Sequence, residues 1–401
     1  MNELKGRKLV LGVTGGVAAY KAAELTRLLV KAGAEVHVVM TEAGTRFVTP
    51  VTFQALSGRT VWTDLWDGRM GNNMAHIDLT RGADGILIAP ASADTIAKLV
   101  HGFADDLLST LCLARECPLM VAPAMNRQMW ENPATQRNVA QLRADGVAVF
   151  GPDEGDQACG ETGPGRMLEP EDLLESVVAH FQPKLLAGCK VVMTAGPTFE
   201  PIDPVRGITN ASSGKMGYAL ARACARAGAE VVLVSGPVSL PVPPGVRRVA
   251  VQSALQMRDA VLAEVPGATV FIGVAAVADY RPAQTAEHKI KKSGDTMQLV
   301  LTPNPDILAE VAALPQPPFC VGFAAESREL DAYAAAKRAA KRVPLLVGNL
   351  VQDGLGGDDN EVVLYDDNGR YPLGRASKTE LAKRIVDHLA DLLVDGAKRE
   401  E

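Results

Sequence analysis

The sequence predicts an α/β protein made of two doubly wound, mainly parallel-sheet (Rossmann-like) domains in tandem. Two segments, Lys8–Met40 and Lys190–Ser235, share the pattern of strand, glycine-bearing turn, helix and strand, and both contain the run A-G-A-E-V. Short runs rich in valine, isoleucine and leucine alternate with helical segments throughout, as is typical of parallel strands covered on both faces. A length of 401 residues exceeds one ordinary core and favours two domains.

The predicted strands follow one another in both halves of the chain. In the first half they are Lys8–Val13, Glu35–Met40, Gly85–Ala89, Leu119–Ala122 and Ala148–Phe150. In the second half they are Lys190–Thr194, Glu230–Val234, Thr269–Val274, Phe319–Phe323 and Leu345–Asn349. A helix over Pro170–Phe181 ends just before Pro183, so we expect the boundary near Gln182–Gly188 and domains of 1–182 and 188–401.

Composition excludes several classes of function. The net charge of −6 gives no basic surface for nucleic acid, and 4% aromatic residues are too few for base stacking along a strand. No apolar run reaches the roughly 18 residues of a membrane span, and M-N-E-L-K-G-R-K lacks a signal-peptide core. The 6 cysteines show no C-x-x-C spacing, which argues against zinc or disulfides. We therefore expect a cytoplasmic protein with no nucleic-acid or membrane partner.

The first half opens with a turn suited to a phosphate. A helix N-terminus after a first strand directs free N–H groups at anions. The glycines of G-V-T-G-G-V depart from G-x-G-x-x-G, and Thr41 follows the second strand where NAD-binding units carry an acid. Both features argue against an NAD-dependent oxidoreductase. Ser92 and Thr95 begin a later helix, where Ser92 is an N-cap, a phosphate ligand or both.

Three further segments of the first half contain residues suited to catalysis. They are N-M-A-H-I-D-L-T-R with His76, A-P-A-M-N with Asn126, and A-C-G-E-T-G-P-G-R-M with Cys159. Singly, each has an ordinary structural explanation: a satisfied histidine, a turn or cap asparagine, and a small buried thiol. Cys159 stands out because its glycine-rich surroundings, which we expect to be neither helix nor strand, give packing little reason for a thiol.

Together, A-H-I-D-L, P-A-M-N and A-C-G-E-T-G-P-G-R-M resemble the flavin-containing cysteine decarboxylases, specifically the phosphopantothenoylcysteine decarboxylases, over Lys8–Phe181. The resemblance implies a decarboxylase domain that binds FMN. The implied FMN contacts are Gly15, Gly16, Thr41, Ser92, Thr95 and Met125. It also implies that His76 acts beside the flavin as base or orienter, that Asn126 binds the substrate carboxylate, and that Cys159 donates a proton from a lid loop.

This chemistry is physically consistent. Loss of CO₂ from a cysteinyl carboxylate leaves a carbanion with no electron sink. Oxidation of the thiol to a thioaldehyde by FMN supplies one, because the C=S group accepts the electron pair and gives an enethiol. Return of a hydride and a proton then leaves no net redox change. A thiol with an ordinary pKa of about 8.5 is mostly protonated at neutral pH, so Cys159 can act as the acid.

The second half carries a dense turn motif followed by scattered cations. Prolines exclude a regular helix before Ser212; they are Pro197, Pro201 and Pro204. A helix is predicted over Lys215–Ala227, without Walker A spacing before it. Asp279 follows a strand end, where ligands usually bind. The lysines of K-I-K-K and the pair Lys337 and Lys341 are either solvated charges or ligands of a triphosphate.

The segment Gly188–Leu393 resembles the bacterial, CTP-using phosphopantothenate–cysteine ligases in T-A-G-P-T-x-E-P-I-D-P-V-R, T-N-x-S-S-G-K-M-G, A-A-V-A-D-Y, K-I-K-K, N-P-D-I-L and G-F-A-A-E. The resemblance implies that Asn210 stabilises an acyl-cytidylate and that Lys289 acts on this mixed anhydride. The implied CTP contacts are Ala275, Asp279, Lys289, Pro305, Asp306, Ile307, Leu308, Phe323, Lys337 and Lys341. Mg²⁺ (or Mn²⁺) is expected to be held mainly by CTP phosphates, and no protein ligand is assigned to it.

The two resemblances together imply a bifunctional enzyme of coenzyme A biosynthesis. In the implied reaction, the carboxylate of 4′-phosphopantothenate attacks the α-phosphate of CTP and releases pyrophosphate. The cysteine amine then displaces CMP, and decarboxylation gives 4′-phosphopantetheine. The alternative is a flavin-binding regulatory protein without catalysis, and the presence of His76, Asn126 and Cys159 argues against it.

Some properties follow from the resemblance alone or stay open. The family implies homo-oligomers, with decarboxylase trimers and ligase dimers that together can build a dodecamer. The use of CTP rather than ATP rests only on the resemblance. The irregular segment Tyr280–Pro305 is either a β-hairpin or a mobile flap, and the sequence says nothing of regulation by coenzyme A thioesters.

Overall fold

The computed structural model describes residues 3–67, 75–158, 160–292, 296–326, 328–350, 352 and 356–400, with only the main chain at residues 75, 76 and 396–400. The chain divides into two compact units, Met1–Phe181 and Gln182–Glu401. Among the described residues, no helix combines the length and the apolar character that crossing a membrane requires.

The first unit is built on a parallel sheet. Its strands are β1 Lys8–Val13, β2 Glu35–Met40, β3 Gly85–Ala91, β4 Leu119–Pro123, β5 Ala148–Val149, β6 Asp153–Asp156 and β7 Thr162–Arg166. Its helices are α1 Ala19–Lys31, α2 Glu42–Thr45, α3 Pro50–Ser57, α4 Ala75–Thr80, α5 Ala93–His101, α6 Leu107–Leu113, α7 Arg127–Glu131, α8 Pro133–Ala144 and α9 Pro170–Phe181. The five-stranded sheet has the order β2-β1-β3-β4-β5, and all its pairs are parallel.

Both faces of this sheet are covered, as the runs of apolar residues predict. On one face Leu11 lies in a buried cluster with Leu25 of α1 and Leu173 of α9. On the other face Val10 lies in a second cluster with Leu108 of α6. The structure therefore confirms a doubly wound sheet in this unit, with the carboxyl ends of its strands along one edge.

The glycine-rich stretch around Cys159 corrects one expectation. We expect no regular strand there, yet β6 and β7 form an antiparallel hairpin that includes T-G-P-G-R. Glycine permits this strand, because Gly163 and Gly165 have φ values of 151° and 123°, which other residues rarely adopt. A Cβ on Gly165 would also lie 2.5 Å from the carbonyl oxygen of Met125. The glycines therefore serve a strand that passes close to another main chain.

The second unit contains a larger sheet. Its strands are β8 Lys190–Ala195, β9 Phe199–Pro201, β10 Gly207–Thr209, β11 Glu230–Ser235, β12 Val246–Ala250, β13 Val270–Gly273, β14 Tyr280–Pro282, β15 Leu301–Pro303, β16 Phe319–Glu326, β17 Leu345–Leu350, β18 Asp359–Tyr365 and β19 Arg370–Ser377. Its helices are α10 Lys215–Arg226, α11 Ala254–Glu264, α12 Ile307–Ala312, α13 Leu330–Lys341 and α14 Lys378–Glu400. The main sheet has the order β12-β11-β8-β13-β16-β17-β18-β19.

This sheet is parallel from β12 to β17 and antiparallel beyond. The pairs of β17 with β18 and of β18 with β19 are both antiparallel. The mainly parallel sheet is thus confirmed, while the sequence analysis did not identify β18 and β19. The order reverses between β8 and β13, so a ligand is expected where these two strands end.

The irregular segment Tyr280–Pro305 begins and ends in paired strands. Tyr280 pairs with Pro303 and Arg281 with Thr302, in antiparallel register. Of the two alternatives, this pairing favours the β-hairpin at the base of the segment. Ser293–Asp295 lie outside the described residues.

Candidate active sites

In the first unit, hydrogen bonds tie the ends of neighbouring strands at the point where the strand order reverses. The buried Thr14 follows β1; its Oγ1 donates to the carbonyl oxygen of Pro90 at 2.7 Å and accepts the N–H of Ser92 at 3.1 Å. The N–H of Thr41, after β2, donates to the carbonyl oxygen of Val13 at 3.1 Å. The ends of β2, β1 and β3 therefore form one continuous edge.

The predicted phosphate ligands Thr41 and Ser92 are both helix N-caps. Thr41 Oγ1 accepts the N–H of Gly44 at 3.1 Å, and Ser92 Oγ accepts the N–H of Thr95 at 3.2 Å. The capping role predicted for Ser92 is thus confirmed. Hydroxyl groups and helix N-termini on one strand edge are suitable hydrogen-bond donors for an anion, so these residues fit a phosphate-bearing cofactor.

Gly15 and Gly16 differ in their surroundings. A Cβ on Gly15 would lie 2.6 Å from Cβ of Ala43, whereas a Cβ on Gly16 would meet no atom within 4 Å. Gly15 is therefore required where the β1–α1 turn packs against α2. Gly16 faces open space, which leaves its main chain accessible to a cofactor phosphate.

We predict different consequences for an alanine at each of these glycines. Gly15→Ala is expected to lower stability by about 1–3 kcal/mol through overpacking, and to lower flavin content. Gly16→Ala is expected to leave the stability of flavin-depleted protein unchanged but to lower its flavin affinity. Visible flavin absorbance per polypeptide and thermal unfolding of flavin-depleted protein measure both effects. A Gly16→Ala protein that binds flavin like the wild type would contradict this account.

Asn126 lies where the end of β4 meets the β6–β7 hairpin. Its Oδ1 caps α7 by accepting the N–H of Met129 at 3.0 Å, and its Nδ2 donates to Gln128 Oε1 at 2.9 Å. The N–H of Met125 donates to the carbonyl oxygen of Gly165 in β7 at 2.9 Å. The predicted residues Met125 and Asn126 are therefore fixed against the return strand of the hairpin.

Two side-chain contacts join this loop to residues on either side of Cys159. The N–H of Arg127 donates to Gln157 Oε1 at 3.0 Å, and Gln128 Nε2 donates to Glu161 Oε1 at 2.7 Å. Cys159 itself lies outside the described residues. His76 lies on α4, and its side chain is likewise outside the described part.

A buried lysine that no sequence pattern predicted supports the hairpin. Lys21 of α1 is 5% exposed; its Nζ donates to the carbonyl oxygen of Met167 at 3.0 Å and to Glu169 Oε1 at 2.9 Å. The hydrogen bond from Lys21 is the main cause that lowers the pKa of Glu169. Lys21 thus anchors the chain just after β7. No sequence signal marks it, because a lysine in an amphipathic helix is ordinarily solvated.

In the second unit, a cavity of about 640 Å³ lies where β8, β13 and β16 end. It gathers all the predicted CTP contacts except Lys289. These lining residues are Ala275, Asp279, Pro305, Asp306, Ile307, Leu308, Phe323, Lys337 and Lys341. Lys289 is exposed and does not belong to the lining residues.

Asn210 contacts the loop that forms one wall of this cavity. Its Nδ2 donates to the carbonyl oxygen of Ala276 at 2.9 Å, and Ala276 is a lining residue. Two buried threonines hold the same loop: Thr194 Oγ1 accepts the N–H of Ala275 at 3.2 Å, and Thr198 Oγ1 accepts that of Ala278 at 3.0 Å. No motif in the sequence predicted the role of these threonines.

The cations of α13 share the cavity with a carboxylate. Lys341 Nζ lies 3.0 Å from Asp306 Oδ2, and Asp306 also caps α12. Burial, assisted by the charge of Lys341, lowers the pKa of Lys337. Two adjacent ammonium groups with only partial neutralisation favour binding of a polyanion such as a triphosphate.

A second cluster of polar side chains lines the cavity beside the start of α10. Lys215 Nζ lies 2.6 Å from Asp358 Oδ1, and Lys378, 7% exposed, donates to the carbonyl oxygen of Gly357. Burial is the main cause that lowers the pKa of Lys378. Asn360, 5% exposed, also lines this part. Lys378 and Asn360 come from the unpredicted β18–β19 region, so no motif indicated them.

Comparisons with known proteins agree with the two-unit structure. Residues 1–182 match the flavoprotein family, and residues 186–393 match the family described as DNA/pantothenate metabolism flavoprotein C-terminal domain. The coenzyme A biosynthesis bifunctional protein CoaBC of Vibrio cholerae serotype O1 is 50% identical over 392 residues, which cover 96% of this chain and 98% of that protein. This chain belongs to the CoaBC family.

A second curated relative and one solved structure are also similar to this chain. The CoaBC protein of Escherichia coli K12 is 49% identical over 394 residues, covering 96% of this chain and 97% of that protein. The crystal structure of a CoaBC C-terminal domain is 38% identical, covers 53% of this chain and 99% of that domain, and has a TM-score of 0.47.

Membership in the CoaBC family confirms the predicted enzyme. The chain is a bifunctional enzyme of coenzyme A biosynthesis, with phosphopantothenoylcysteine decarboxylase and phosphopantothenate–cysteine ligase activity. The alternative of a flavin-binding regulatory protein without catalysis is not supported. The flavoprotein match of residues 1–182 supports the predicted FMN.

Proposed function

We propose that residues 188–401 ligate cysteine to 4′-phosphopantothenate at the expense of CTP, and that residues 1–182 decarboxylate the product. The observation that carries this proposal is the cavity of about 640 Å³, which collects predicted CTP contacts from separate segments of the chain. The triphosphate binds to Lys337 and Lys341, and Mg²⁺ is held mainly by its phosphate oxygens. We assign no protein ligand to the metal.

In the ligation reaction, Asn210 and Lys289 stabilise the acyl-cytidylate. The substrate carboxylate oxygen bonds to the α-phosphorus of CTP as the bond to pyrophosphate breaks. The cysteine nitrogen then bonds to the acyl carbon, CMP leaves, and the amine loses a proton. Asn210 is suited to its role because the contact with Ala276 fixes its amide beside the cavity wall, and a fixed donor stabilises charge without reorganisation.

The cluster of polar side chains beside the start of α10 is suited to the phosphate end of the substrate 4′-phosphopantothenate. 4′-Phosphopantothenate carries its phosphate far from the carboxylate that reacts at the CTP α-phosphate. We assign the substrate phosphate to Lys215, Lys378 and the start of α10, where two ammonium groups meet a helix N-terminus. The substrate then lies across the cavity between two cationic groups.

In the first unit, we assign FMN to the strand edge formed by β2, β1 and β3. Its ligands there are Gly15, Gly16, Thr41, Ser92 and Thr95, together with Met125 after the neighbouring strand β4. When bound, FMN takes up and returns the electron pair of the substrate cysteine. Asn126 binds the substrate carboxylate, His76 acts as base or orienter, and Cys159 returns a proton to carbon. The contacts of Arg127 and Gln128 with the hairpin support joint action of Asn126 and Cys159.

We further propose a cytoplasmic homo-oligomer. Decarboxylase trimers and ligase dimers, which together can build a dodecamer, are supported by the family resemblance. The mass of the purified protein in solution, measured by light scattering, tests this assembly.

One assay tests the proposed function as a whole. Protein supplied with 4′-phosphopantothenate, cysteine, CTP and Mg²⁺ is expected to be yellow and to release pyrophosphate and then CO₂. Omission of Mg²⁺ or replacement of CTP by ATP is expected to suppress pyrophosphate release. A colourless protein that releases neither product would refute the proposal.

The lowered pKa of Lys337 gives a prediction on pH. A lysine is charged below its pKa and loses its charge as pH rises through that pKa. Because the pKa of Lys337 is lowered, it loses its charge below the ordinary lysine pKa of about 10.4. We therefore expect the KM for CTP to rise in the alkaline range. Lys337→Arg is expected to move this rise to higher pH, because guanidinium stays charged. Identical pH profiles of KM in both proteins would contradict the prediction.

A further inference from the structure

The turn between β9 and β10 is built around a buried carboxylate. The side chain of Asp203 is 0% exposed, and its Oδ1 accepts the N–H groups of Val205 at 2.8 Å and Arg206 at 2.9 Å. Its Oδ2 accepts from Arg206 Nε at 3.0 Å and Nη2 at 2.5 Å. The hydrogen bonds from Arg206 hold the pKa of this carboxyl far below its ordinary value.

This buried pair also holds the residue that follows Lys289. Asp203 Oδ2 accepts the N–H of Ile290 at 3.1 Å, and Arg206 Nη2 donates to the carbonyl oxygen of Ile290 at 2.7 Å. Both main-chain polar groups of Ile290 are therefore bound by the pair. The main chain next to the exposed Lys289 is thus held by the Asp203–Arg206 pair.

The preceding residues run along the same turn. Thr285 Oγ1 donates to the carbonyl oxygen of Pro201 at 3.1 Å, and the N–H of Ala286 donates to that of Ile202 at 3.0 Å. The path from residue 285 to residue 290 is thus tied to the β9–β10 turn at both ends.

The same turn leads directly to Asn210. Strand β10 follows Arg206, pairs antiparallel with β9, and ends at Thr209. Thr209 Oγ1 donates to the carbonyl oxygen of Thr198 at 2.7 Å, which fixes the strand just before Asn210. The buried carboxylate of Asp203 is therefore connected to both residues assigned to the acyl-cytidylate, by a hydrogen bond to the residue after Lys289 and by strand β10 to Asn210.

We propose that Asp203 is a positioning residue of the ligation reaction, which holds the Lys289 segment in register with the strand that carries Asn210. The proposal rests on the proposed function of Lys289. A carboxylate is required, because Asp203 Oδ2 accepts only from N–H donors, and an amide nitrogen there would face them with hydrogens of its own. The effect of Asp203 passes through Lys289 and not through direct contact with a substrate.

The test is a double-mutant cycle in the full chain, read as pyrophosphate release. Asp203→Asn is expected to lower kcat by on the order of 100-fold, with KM for CTP changed less than about twofold. Combined with Lys289→Ala, it is expected to add almost nothing to the loss caused by Lys289→Ala alone. Asp259→Asn, on the exposed face of α11, is the matched control and is expected to ligate normally.

A second variant tests the same contact from the other side. Ile290→Pro deletes the N–H donor while Asp203 and Arg206 stay intact, and we expect a fall in kcat like that of Asp203→Asn. Decarboxylation of supplied 4′-phospho-N-pantothenoylcysteine is expected to stay at the wild-type rate in every variant.

The outcomes distinguish the positioning role of Asp203 from the proposed role of Lys289. Normal ligation by Asp203→Asn or Ile290→Pro, or multiplied losses in the Asp203–Lys289 double variant, would overturn the positioning role alone. Normal ligation by Lys289→Ala would overturn both the proposed role of Lys289 and the role of Asp203 that depends on it.

Discussion

Asn210→Asp is expected to lower ligation by roughly 100- to 1,000-fold, as the loss of a preorganised donor to a charged intermediate does. In the structure, Asn210 Nδ2 donates to the carbonyl oxygen of Ala276 at 2.9 Å. A carboxylate in its place would face that oxygen without a hydrogen, and it would add negative charge beside the nucleotide. The side chain would therefore turn away from the cavity wall, and the acyl-cytidylate would lose its donor.

The measurement compares two partial reactions in one protein. Pyrophosphate release from CTP reports activation, and amide formation reports transfer to cysteine. CO₂ release from supplied 4′-phospho-N-pantothenoylcysteine is expected to stay at the wild-type rate. Asn368→Asp, in the exposed turn between β18 and β19, adds the same charge away from the cavity and serves as the control. Loss of CO₂ release in Asn210→Asp would contradict the division of labour between the two units.

Cys159→Ser is expected to have the opposite pattern, with ligation retained and formation of 4′-phosphopantetheine lowered by about 100- to 10,000-fold, the range for removal of a general acid. The hydroxyl of serine is a much weaker acid than the thiol of cysteine, and the two side chains occupy nearly the same volume. Without the proton donor, the enethiol formed by loss of CO₂ is expected to accumulate. Single-turnover product analysis by mass spectrometry would detect it two mass units below 4′-phosphopantetheine, because a hydride and a proton have yet to be added.

Cys117→Ser is the matched control for this variant. Cys117 is half-buried in the same unit, and burial raises the pKa of its thiol. Burial likewise raises the pKa of Cys112 to about 12. These two thiols are structural, so we expect Cys117→Ser to decarboxylate normally. A Cys159→Ser protein that forms 4′-phosphopantetheine at the wild-type rate would refute the assignment of the acid.

The parallel strands were predictable because their signal is local. β1 and β8 are nearly continuous apolar runs followed by glycine, and each is buried on both faces as such a run requires. β18 and β19 gave no such signal. β19 has no run of apolar β-branched residues, and it contains Pro372 and Gly374, two residues that normally argue against a strand.

The candidate sites were predictable only in part, for a related reason. Asp279 follows a predicted strand end, and Asp306 belongs to N-P-D-I-L, a motif of the family resemblance, so both were candidates from the sequence. Lys378 and Asn360 reach the cavity only because β18 and β19 extend the sheet beside it. Asp203 acts through its contact with Ile290, a residue 87 positions away, and no local sequence pattern indicates such a contact.

The edges of the large sheet have a consequence for solubility. An exposed strand edge with apolar side chains is a template for pairing with another chain, and native proteins protect it with charges, proline or irregularity. At one edge β12 carries the exposed Arg247 and Arg248. At the other, β19 carries Pro372 and Gly374, and its register with β18 shifts between these two residues. Edge-to-edge pairing with the strands of another chain is therefore disfavoured at both ends of the sheet.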